Sequence, residues 1–169
     1  MNGREWGKMQ LIHPFEPVVD ENSRLLILGS FPSVKSRETQ FYYGHKQNRF
    51  WSVLAQIWHC TLPQTVEEKQ EMLLAHGVAV WDILKSCEIE GSSDASIRNP
   101  AANDIAGLID RTDIAAVFFN GKTAYQMYQK HSQPLTVPIR VLPSTSPANA
   151  AYSLERLCEI WGKALSEFL

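Results

Sequence analysis

The densest cluster of chemically active side chains lies in residues 40–51, where aromatic, amide, imidazole and cationic groups follow one another. Aromatic rings beside Lys and Arg are what a protein needs to stack an unpaired base and to hold its phosphates. Tyr43 and Asn48 are therefore interpreted as ligand-binding residues. Phe50 and Trp51 are instead expected to pack in the core, because they follow the helical periodicity of this segment.

A second candidate site follows the apolar run that ends at Leu28. Residues 29–36 nearly match the phosphate-binding loop Gly-x4-Gly-Lys-Ser/Thr. The polar candidates for phosphate contact are Ser30, Ser33 and Lys35. The match fails at Val34, because a β-branched residue resists the backbone conformation that glycine adopts there. A nucleotide phosphohydrolase, with Asp82 as its Mg²⁺-binding acid, is therefore kept only as a minor alternative.

A third candidate site lies late in the chain, after the apolar run that ends at Leu142. Small hydroxyl residues and free backbone N–H groups at the start of a helix form a natural binding site for a phosphate. The residues assigned to this role are Ser144, Ser146 and Asn149. Ordinary helix capping by Ser146, with Pro147 in the first turn, explains the same pattern equally well, and both explanations stay open.

Four apolar runs predict the strands that must carry these loops. They cover residues 25–28, 78–81, 115–119 and 139–142. Segments with helical periodicity lie between them, at residues 48–58, 67–76, 104–111 and 122–131, and a last helix is expected to begin near Ser146. Strands that alternate with helices favour right-handed crossovers and a mostly parallel sheet. The predicted fold class is α/β, a three-layer α/β/α sandwich around a mostly parallel four-stranded central sheet.

The edge at which these strands end is the expected place of the active site, because ligands in open α/β sheets bind at the carboxyl ends of the strands. Residues 29–47 are read as an irregular connection, which is longer than a strand and a helix normally need between them. Function is therefore sought after the last residue of each predicted strand, namely Leu28, Trp81, Phe119 and Leu142.

Length and composition exclude several classes of protein. The chain has 169 residues, of which 44% are hydrophobic and 20% charged, so residues 1–169 are expected to form one folded domain. Three scattered cysteines argue against a disulfide framework, and no Cys-x-x-Cys pair indicates a zinc or iron–sulfur site. No metal or cofactor is expected, and the isolated histidines are expected on the surface: His13, His59, His76 and His131. With no signal peptide or membrane span in the sequence, a cytoplasmic monomer is expected.

Five motifs in a fixed order resemble the uracil-DNA glycosylase superfamily, and they extend over roughly residues 24–160. They include a strand that ends in Gly-x-x-Pro, an aromatic residue followed by Gly-His-x-x-Asn-Arg-Phe-Trp, and a late Pro-Ser loop. The motifs are most similar to those of the hypoxanthine-DNA (deoxyinosine) glycosylase branch. They occupy residues 29–33, 41–45, 81–84 with 91–94, 119–121 and 144–149.

The resemblance implies the roles of the base-binding residues. Tyr43 stands where family members place an aromatic ring under the flipped base. Asp82 stands where uracil-specific members carry an Asn that reads the base edge. An ionised carboxylate only accepts hydrogen bonds, so Asp82 favours a base with a ring N–H, such as hypoxanthine. Capping of the turn after the strand is the alternative role for Asp82.

The resemblance also implies where the catalytic group lies. Phe31 stands where other branches place an Asp or Asn that positions the attacking water, and it is expected to contact the base instead. Asn48 is expected to take over catalysis, by orienting the water and by offsetting positive charge on the sugar. Leu142 replaces a His of some members, which leaves the late-loop serines to support the departing base. His45 is expected to contact a phosphate or to hydrogen-bond its own loop.

The predicted function is that of a monofunctional DNA glycosylase in base excision repair. Its expected partner is DNA with deaminated bases, from which it flips out and hydrolyses hypoxanthine first and uracil in mismatches second. No Lys occupies a matched catalytic position, so no Schiff-base lyase step is expected. A non-catalytic binder of damaged or single-stranded nucleic acid is the main alternative, because Phe31 and Leu142 both replace catalytic types of residue.

The net charge of -2 argues at first sight against a nucleic-acid binder. Residues 33–51, however, hold four basic residues against one acidic residue, and residues 114–154 hold three basic residues and no acidic one. The basic residues therefore concentrate in the segments that contain the proposed DNA-binding loops. A modest affinity for phosphates that falls with salt is expected.

Overall fold

The computed structural model describes residues 8–90 and 98–168. Its strands are β1 (Lys8–Ile12), β2 (Leu25–Gly29), β3 (Val78–Asp82), β4 (Leu84–Glu90), β5 (Arg98–Ala102), β6 (Ala116–Asn120) and β7 (Ile139–Leu142). Its helices are α1 (Val34–Thr39), α2 (Phe50–Ile57), α3 (Val66–Ala75), α4 (Ile105–Asp110), α5 (Lys122–His131) and α6 (Leu154–Ser166). The four predicted strands are confirmed as β2, β3, β6 and β7, which form one sheet in the order β3-β2-β6-β7.

The register of this sheet brings the ends of its strands into one row. Neighbouring strands are parallel throughout, so their carboxyl ends share one edge. Gly29 of β2 pairs with Asp82 of β3, and Asn120 of β6 pairs with Leu142 of β7. The residues that end the four strands therefore meet where the sequence places the active site.

Helices cover both faces of the sheet. Leu25 and Ile27 face a cluster that includes residues of α2, α3 and α6, whereas Leu26 and Leu28 face a second cluster with α4 and α5. These four β2 side chains are fully buried, and burial of such a side chain contributes roughly 1.5–3 kcal/mol. The three-layer α/β/α sandwich is thereby confirmed, and Phe50 is buried in the first cluster as predicted.

A second, antiparallel sheet in the order β1-β4-β5 is absent from the sequence prediction. Strand β4 begins at Leu84, two residues after β3 ends, so the chain passes directly from one sheet into the other. Strand β5 reads Arg-Asn-Pro-Ala-Ala and carries no apolar alternation. Its Pro100 is tolerated because β5 lies at an edge of this sheet.

Two helices depart from the sequence prediction. Helix α1 lies within residues 29–47, which were expected to be irregular, and the Ser33 hydroxyl caps its first turn. Helix α6 has Ser153 as its N-cap, so the expected start near Ser146 is wrong. The Ser146 carbonyl instead accepts a hydrogen bond from the Arg49 guanidinium, at 2.9 Å. Among the described residues, no helix is long and apolar enough to cross a membrane.

Candidate active site

A cavity of about 720 Å³ opens at the edge where the four parallel strands end. The loops that follow β2, β6 and β7 contribute to its walls, together with the last residue of β3 and residues before α2. The predicted site residues that line it are Ser30, Phe31, Ser33, Tyr43, Asn48, Asp82, Ser144, Ser146 and Asn149. The three loops that the sequence singled out thus converge on one cavity, although Lys35 and His45 do not line it.

Lys35 and His45 are turned to other partners. Lys35 Nζ lies 3.4 Å from Glu38 Oε2 in an exposed pair on α1. His45 Nδ1 accepts a hydrogen bond of 3.0 Å from the Gln47 backbone N–H, which is the local role that the sequence left open. Helix α1 begins at Val34, before Lys35, whereas a phosphate-binding loop requires the helix to follow the lysine.

Tyr43 forms part of the cavity wall. Its ring stacks on the Phe50 ring, with 4.0 Å between the centroids and 20° between the planes, so Phe50 covers one face of the ring. Its backbone is left-handed, with φ of 52°, a conformation that costs a non-glycine residue of the order of 1 kcal/mol. Burial, and next the Asp82 carboxylate, raise the pKa of the Tyr43 phenol. Asn120 opposes this shift, although the buried hydroxyl has no partner at hydrogen-bond geometry.

Gly29 allows two cavity residues to approach the end of β2. A β-carbon at this position would lie 2.4 Å from Asp82 Oδ1 and 3.1 Å from Tyr43 Oη. The distance to Asp82 Oδ1 is far below van der Waals contact, and the Asp82 side chain is itself held in place. Gly29 is therefore required by the close packing of Asp82.

Asp82 is paired with a histidine that the sequence analysis placed on the surface. His13 Nε2 lies 2.8 Å from Asp82 Oδ2, and the two side chains are only 5% and 6% exposed. His13 Nδ1 lies 2.7 Å from the Phe15 carbonyl oxygen. The surface expectation for His13 is therefore wrong. The expectation is wrong in part for His76 as well, which is half-buried and stacks on Trp58 with 4.0 Å between the centroids.

The pairing of strands β1 and β4 explains why His13 lies beside Asp82. The His13 backbone N–H donates to the Lys85 carbonyl at 2.8 Å, which extends the ladder between these strands by one step. Lys85 is three residues from Asp82, so this step carries the imidazole to the end of β3. The Asp82 side chain therefore does not cap the turn after the strand, which was the alternative role, since its carboxylate binds His13.

Asn48 is held by a network of buried polar groups. Its Oδ1 accepts from the Phe50 backbone N–H at 3.0 Å and from the Thr145 hydroxyl at 2.8 Å. Fully buried Thr145 is held by Asn120, which accepts from the Thr145 N–H and donates to its hydroxyl, each at 3.0 Å. The amide orientation of Asn48 is thereby fixed, because a backbone N–H can only donate. The NH₂ group is left for a ligand. The oxygen, which is the end of the amide that could offset positive charge on the sugar, already accepts two hydrogen bonds.

Arg49 holds the late loop in its conformation. Its guanidinium donates to the carbonyls of Ser146 at 2.9 Å, Asn149 at 3.0 Å and Tyr152, and its backbone N–H donates to the Thr145 carbonyl at 3.0 Å. A planar group with five N–H donors is suited to binding several carbonyls at once. Arg49 belongs to the basic segment expected to bind DNA, but its donors are used inside the protein.

The serines of the late loop bind the loop itself. The Ser144 hydroxyl accepts from the Ser146 N–H at 3.1 Å, and the Ser146 hydroxyl accepts from the Ala148 N–H at 3.2 Å. Asn149 Nδ2 donates to the Ser144 carbonyl at 3.0 Å. These backbone N–H groups are therefore not free to bind a phosphate, while the two hydroxyl hydrogens are.

Comparison with known proteins assigns the chain to a family. A sequence model of the Uracil DNA glycosylase superfamily matches residues 16–168. The chain belongs to this superfamily. Superfamily relatives include the Hypoxanthine DNA glycosylase of Methanosarcina acetivorans, 35% identical over 86% of this chain and 92% of that protein. The Hypoxanthine DNA glycosylase of Methanosarcina barkeri is 33% identical over 89% of this chain and 95% of that protein.

A solved structure shows the same superfamily fold. The solution NMR structure of a candidate uracil DNA glycosylase from Methanosarcina acetivorans matches with a TM-score of 0.77 at 31% identity, over 95% of this chain and 99% of that one. The resemblance drawn from the motifs is thereby confirmed, and the protein is a DNA glycosylase. This assignment replaces the phosphohydrolase alternative. Residues 91–94, which form the second part of the motif that begins at residues 81–84, lie outside the described part of the chain.

Sequence reasoning missed three residues that shape this glycosylase site. Thr145 and Arg49 stand inside motifs that were recognised, but the bonds from Thr145 to Asn48 and from Arg49 to Ser146 each span 97 positions of the chain. His13 stands outside the motifs and has no metal-type spacing. In residues 8–90 and 98–168, no three His, Cys, Asp or Glu side chains gather as they would around a metal ion.

Proposed function

We propose that the protein excises hypoxanthine from DNA, with uracil as a second substrate, by hydrolysis of the N-glycosidic bond. The observation that supports this most is the convergence of Asn48, Tyr43 and Asp82 on one cavity at the carboxyl edge of the sheet. A base cannot reach this cavity from within a duplex, so the target nucleotide must be flipped out. The relatives named hypoxanthine DNA glycosylases support this choice of base.

The flipped base is held by two contacts in this proposal. The free face of the Tyr43 ring stacks on the base, because Phe50 supports the opposite face. Asp82 Oδ1 accepts a hydrogen bond from a ring N–H of the base, since Oδ2 is already bound to His13. Phe31 is buried, lines the cavity and packs against His13, so it supplies apolar contact to the base.

Asn48 holds the attacking water in this proposal. Its NH₂ group donates to one lone pair of the water and leaves another lone pair for attack on the sugar carbon. An amide does not take up a proton at neutral pH, so the bond between sugar and base must be largely broken before the water attacks. Electrostatic stabilisation and orientation then supply most of the rate acceleration.

Base release from defined DNA tests the proposed function. Duplexes with a single hypoxanthine, a uracil in a mismatch or an undamaged base are incubated with the protein and then cleaved with alkali. We expect strand cleavage at hypoxanthine and, more slowly, at mismatched uracil. Without alkali we expect an intact strand with an abasic site, because a monofunctional enzyme does not carry out β-elimination.

The same assay separates the alternative function. A non-catalytic binder of damaged DNA would shift the hypoxanthine duplex in a gel and release no base. Lys122 is the lysine that lines the described cavity, and strand cleavage without alkali that is lost in Lys122→Ala would assign a lyase step to it. Either result contradicts the proposed monofunctional hydrolysis.

A further inference from the structure

His13 contacts two hydrogen-bond acceptors, whereas a neutral imidazole has only one N–H to donate. Nδ1 faces the Phe15 carbonyl, which only accepts, so Nδ1 must carry a hydrogen. Nε2 faces the Asp82 carboxylate at 2.8 Å. A neutral ring with its hydrogen on Nδ1 would place a lone pair of Nε2 against that carboxylate. The pair therefore holds one additional proton, either on His13 or on Asp82.

The greater basicity of an imidazole favours the proton on His13, because a free imidazole binds a proton more tightly than a free carboxyl group does. The rings of Phe15, Phe31 and Tyr42 surround the imidazole, with centroids at 4.7, 5.9 and 5.7 Å, and hold it in place. An imidazolium at this position would donate at both nitrogens, to a carbonyl and to a carboxylate.

We infer that His13 is a positioning residue that sets the base specificity of Asp82. Its imidazolium keeps Asp82 ionised and holds Oδ2, so that Oδ1 faces the cavity as a hydrogen-bond acceptor that cannot donate. No hydrogen bond links Oδ1 to another described residue, and the lack of a side chain at Gly29 gives Oδ1 its place at the end of β2. This inference rests on the proposed function, because it concerns the base that this site reads.

A group that only accepts hydrogen bonds can recognise the ring N–H that deamination creates in two bases. Deamination of adenine replaces the N1 lone pair with an N1–H, and deamination of cytosine does the same at N3. Asp82 held by His13 therefore binds hypoxanthine and uracil by one contact, whereas an unmodified adenine or cytosine presents a lone pair to the same oxygen. Guanine already carries an N1–H, so its exclusion falls to other contacts in the cavity.

Other titratable groups beside the pair stay neutral or lie at its margin. Tyr42 and Tyr43 face Asp82, and burial, followed by the Asp82 charge, raises the pKa of both phenols. Glu16 is exposed, and its charge acts on Tyr42 more weakly than these causes do. Both phenols therefore stay protonated and add no charge beside the pair.

Two substitutions of His13 form a matched test. His13→Gln places an amide NH₂ near the position of Nε2, so it supplies a donor that does not titrate. His13→Leu supplies no donor. Single-turnover excision of hypoxanthine, uracil and unsubstituted purine is measured for both variants and the wild type, with circular dichroism and affinity for abasic-site DNA as controls of folding.

We expect His13→Leu to slow hypoxanthine and uracil excision together, by about 100-fold, as loss of a catalytic hydrogen bond does. We expect its preference for hypoxanthine over unsubstituted purine, which lacks a ring N–H, to collapse. His13→Gln should keep that preference, because its amide NH₂ still donates to Asp82 Oδ2. An unchanged preference in a folded His13→Leu variant, or equal losses in both variants, would overturn the inference.

The protonation of His13 provides a readout that needs no catalysis. In a ¹⁵N-labelled sample of the full chain at neutral pH, we expect NMR correlations of the His13 ring to show hydrogens on both nitrogens. A bare Nε2 would overturn the inference even in an active enzyme. Absence of base release by the wild type would refute the proposed function, and the specificity assigned to His13 with it, whatever the NMR spectrum shows.

Discussion

The Thr145 hydroxyl donates a hydrogen bond of 2.8 Å to Asn48 Oδ1 across 97 positions of the chain. This bond joins the residue proposed to hold the attacking water to the loop after β7. Because the Phe50 N–H binds the same oxygen, the amide cannot rotate without losing two hydrogen bonds. The side chain is therefore held in place before DNA binds, and such preorganisation is a large part of enzymatic rate acceleration.

Substitution of Asn48 tests which end of its amide acts. We expect Asn48→Ala to lower single-turnover excision by about 100-fold or more, because the water loses its donor. Asn48→Asp keeps an oxygen for Phe50 and Thr145 but replaces the NH₂ group with an acceptor, so it should be impaired as well. An Asn48→Asp variant that matches the wild-type rate would show that this position acts as a base. Affinity for abasic-site DNA, measured in parallel, should change little in Asn48→Ala.

Thr145 offers a test of the network behind Asn48. Thr145→Val preserves the shape of the buried side chain and removes the hydroxyl, which leaves Asn120 Nδ2 without its partner. We expect the free energy of unfolding to fall by about 1–3 kcal/mol. The excision rate should also fall about 10-fold or more, as the amide of Asn48 loses its alignment. Thr145→Ser keeps the hydroxyl and should retain most of the activity; equal activity in Thr145→Val would show that the network has no role in catalysis.

Gly29 and Gly162 form a matched pair of alanine substitutions. At Gly29 a β-carbon would lie 2.4 Å from Asp82 Oδ1, so Gly29→Ala should displace Asp82, slow excision and lower stability by about 1–3 kcal/mol. At Gly162, within α6, the nearest atom is Ile57 Cγ1 at 3.5 Å. Gly162→Ala should therefore raise stability by about 0.5–1 kcal/mol with activity unchanged. Denaturant unfolding and the excision assay measure both; a fully active Gly29→Ala variant would contradict the packing described for Asp82.

Alkaline titration tests the buried phenols. The pKa values of Tyr42 and Tyr43 are raised by burial, so both stay protonated in the folded protein when exposed tyrosines ionise near pH 10. The contribution of these two phenols to folding stability is complete below the pKa that tyrosine has in the unfolded state. It is lost as pH rises above that pKa, because unfolding then releases protons. Absorbance of the phenolate should show fewer than the five tyrosines of the chain titrating until alkaline unfolding begins. Titration of all five in the folded protein would disprove this assignment.

Lys122 and Lys35 separate two expectations for phosphate binding. Lys122 lines the cavity, whereas Lys35 pairs with Glu38 away from it. We expect Lys122→Ala to weaken DNA binding and to reduce the slope of log affinity against log salt by about one. Lys35→Ala should change neither quantity. A salt titration of duplex binding for both variants tests this, and the reverse result would restore Lys35 as a phosphate contact.

The sequence was sufficient for the parts of the fold that buried apolar runs and helical periodicity specify. Strands β2, β3 and β6 are short apolar runs buried between the helices, and β7 is a shorter run with two exposed residues. Helix α5 has the predicted bounds of residues 122–131. Strand β5 was not predicted, because neither its composition nor an alternation of apolar residues indicates a strand. Its structure depends on pairing with β4, which no local pattern reveals.

The candidate site likewise contains residues that the sequence identified and residues that it did not. Tyr43, Asn48 and Asp82 follow strands or precede a helix in recognisable motifs, and the structure brings them to one cavity. His13 could not be found in this way, because its role depends on a contact with Asp82 across 69 positions. Ser146 resembles a helix cap in sequence, but the long-range bond from Arg49 to its carbonyl overrides that local preference.

Arg49 follows Asn48 directly and binds carbonyls of the late loop through its guanidinium. A DNA strand that shifts this loop must therefore shift Arg49, and Asn48 with it. The duplex and the attacking water can therefore be placed correctly only together. A duplex that displaces the late loop is therefore expected to be bound and yet cut more slowly than a duplex that leaves the loop in place.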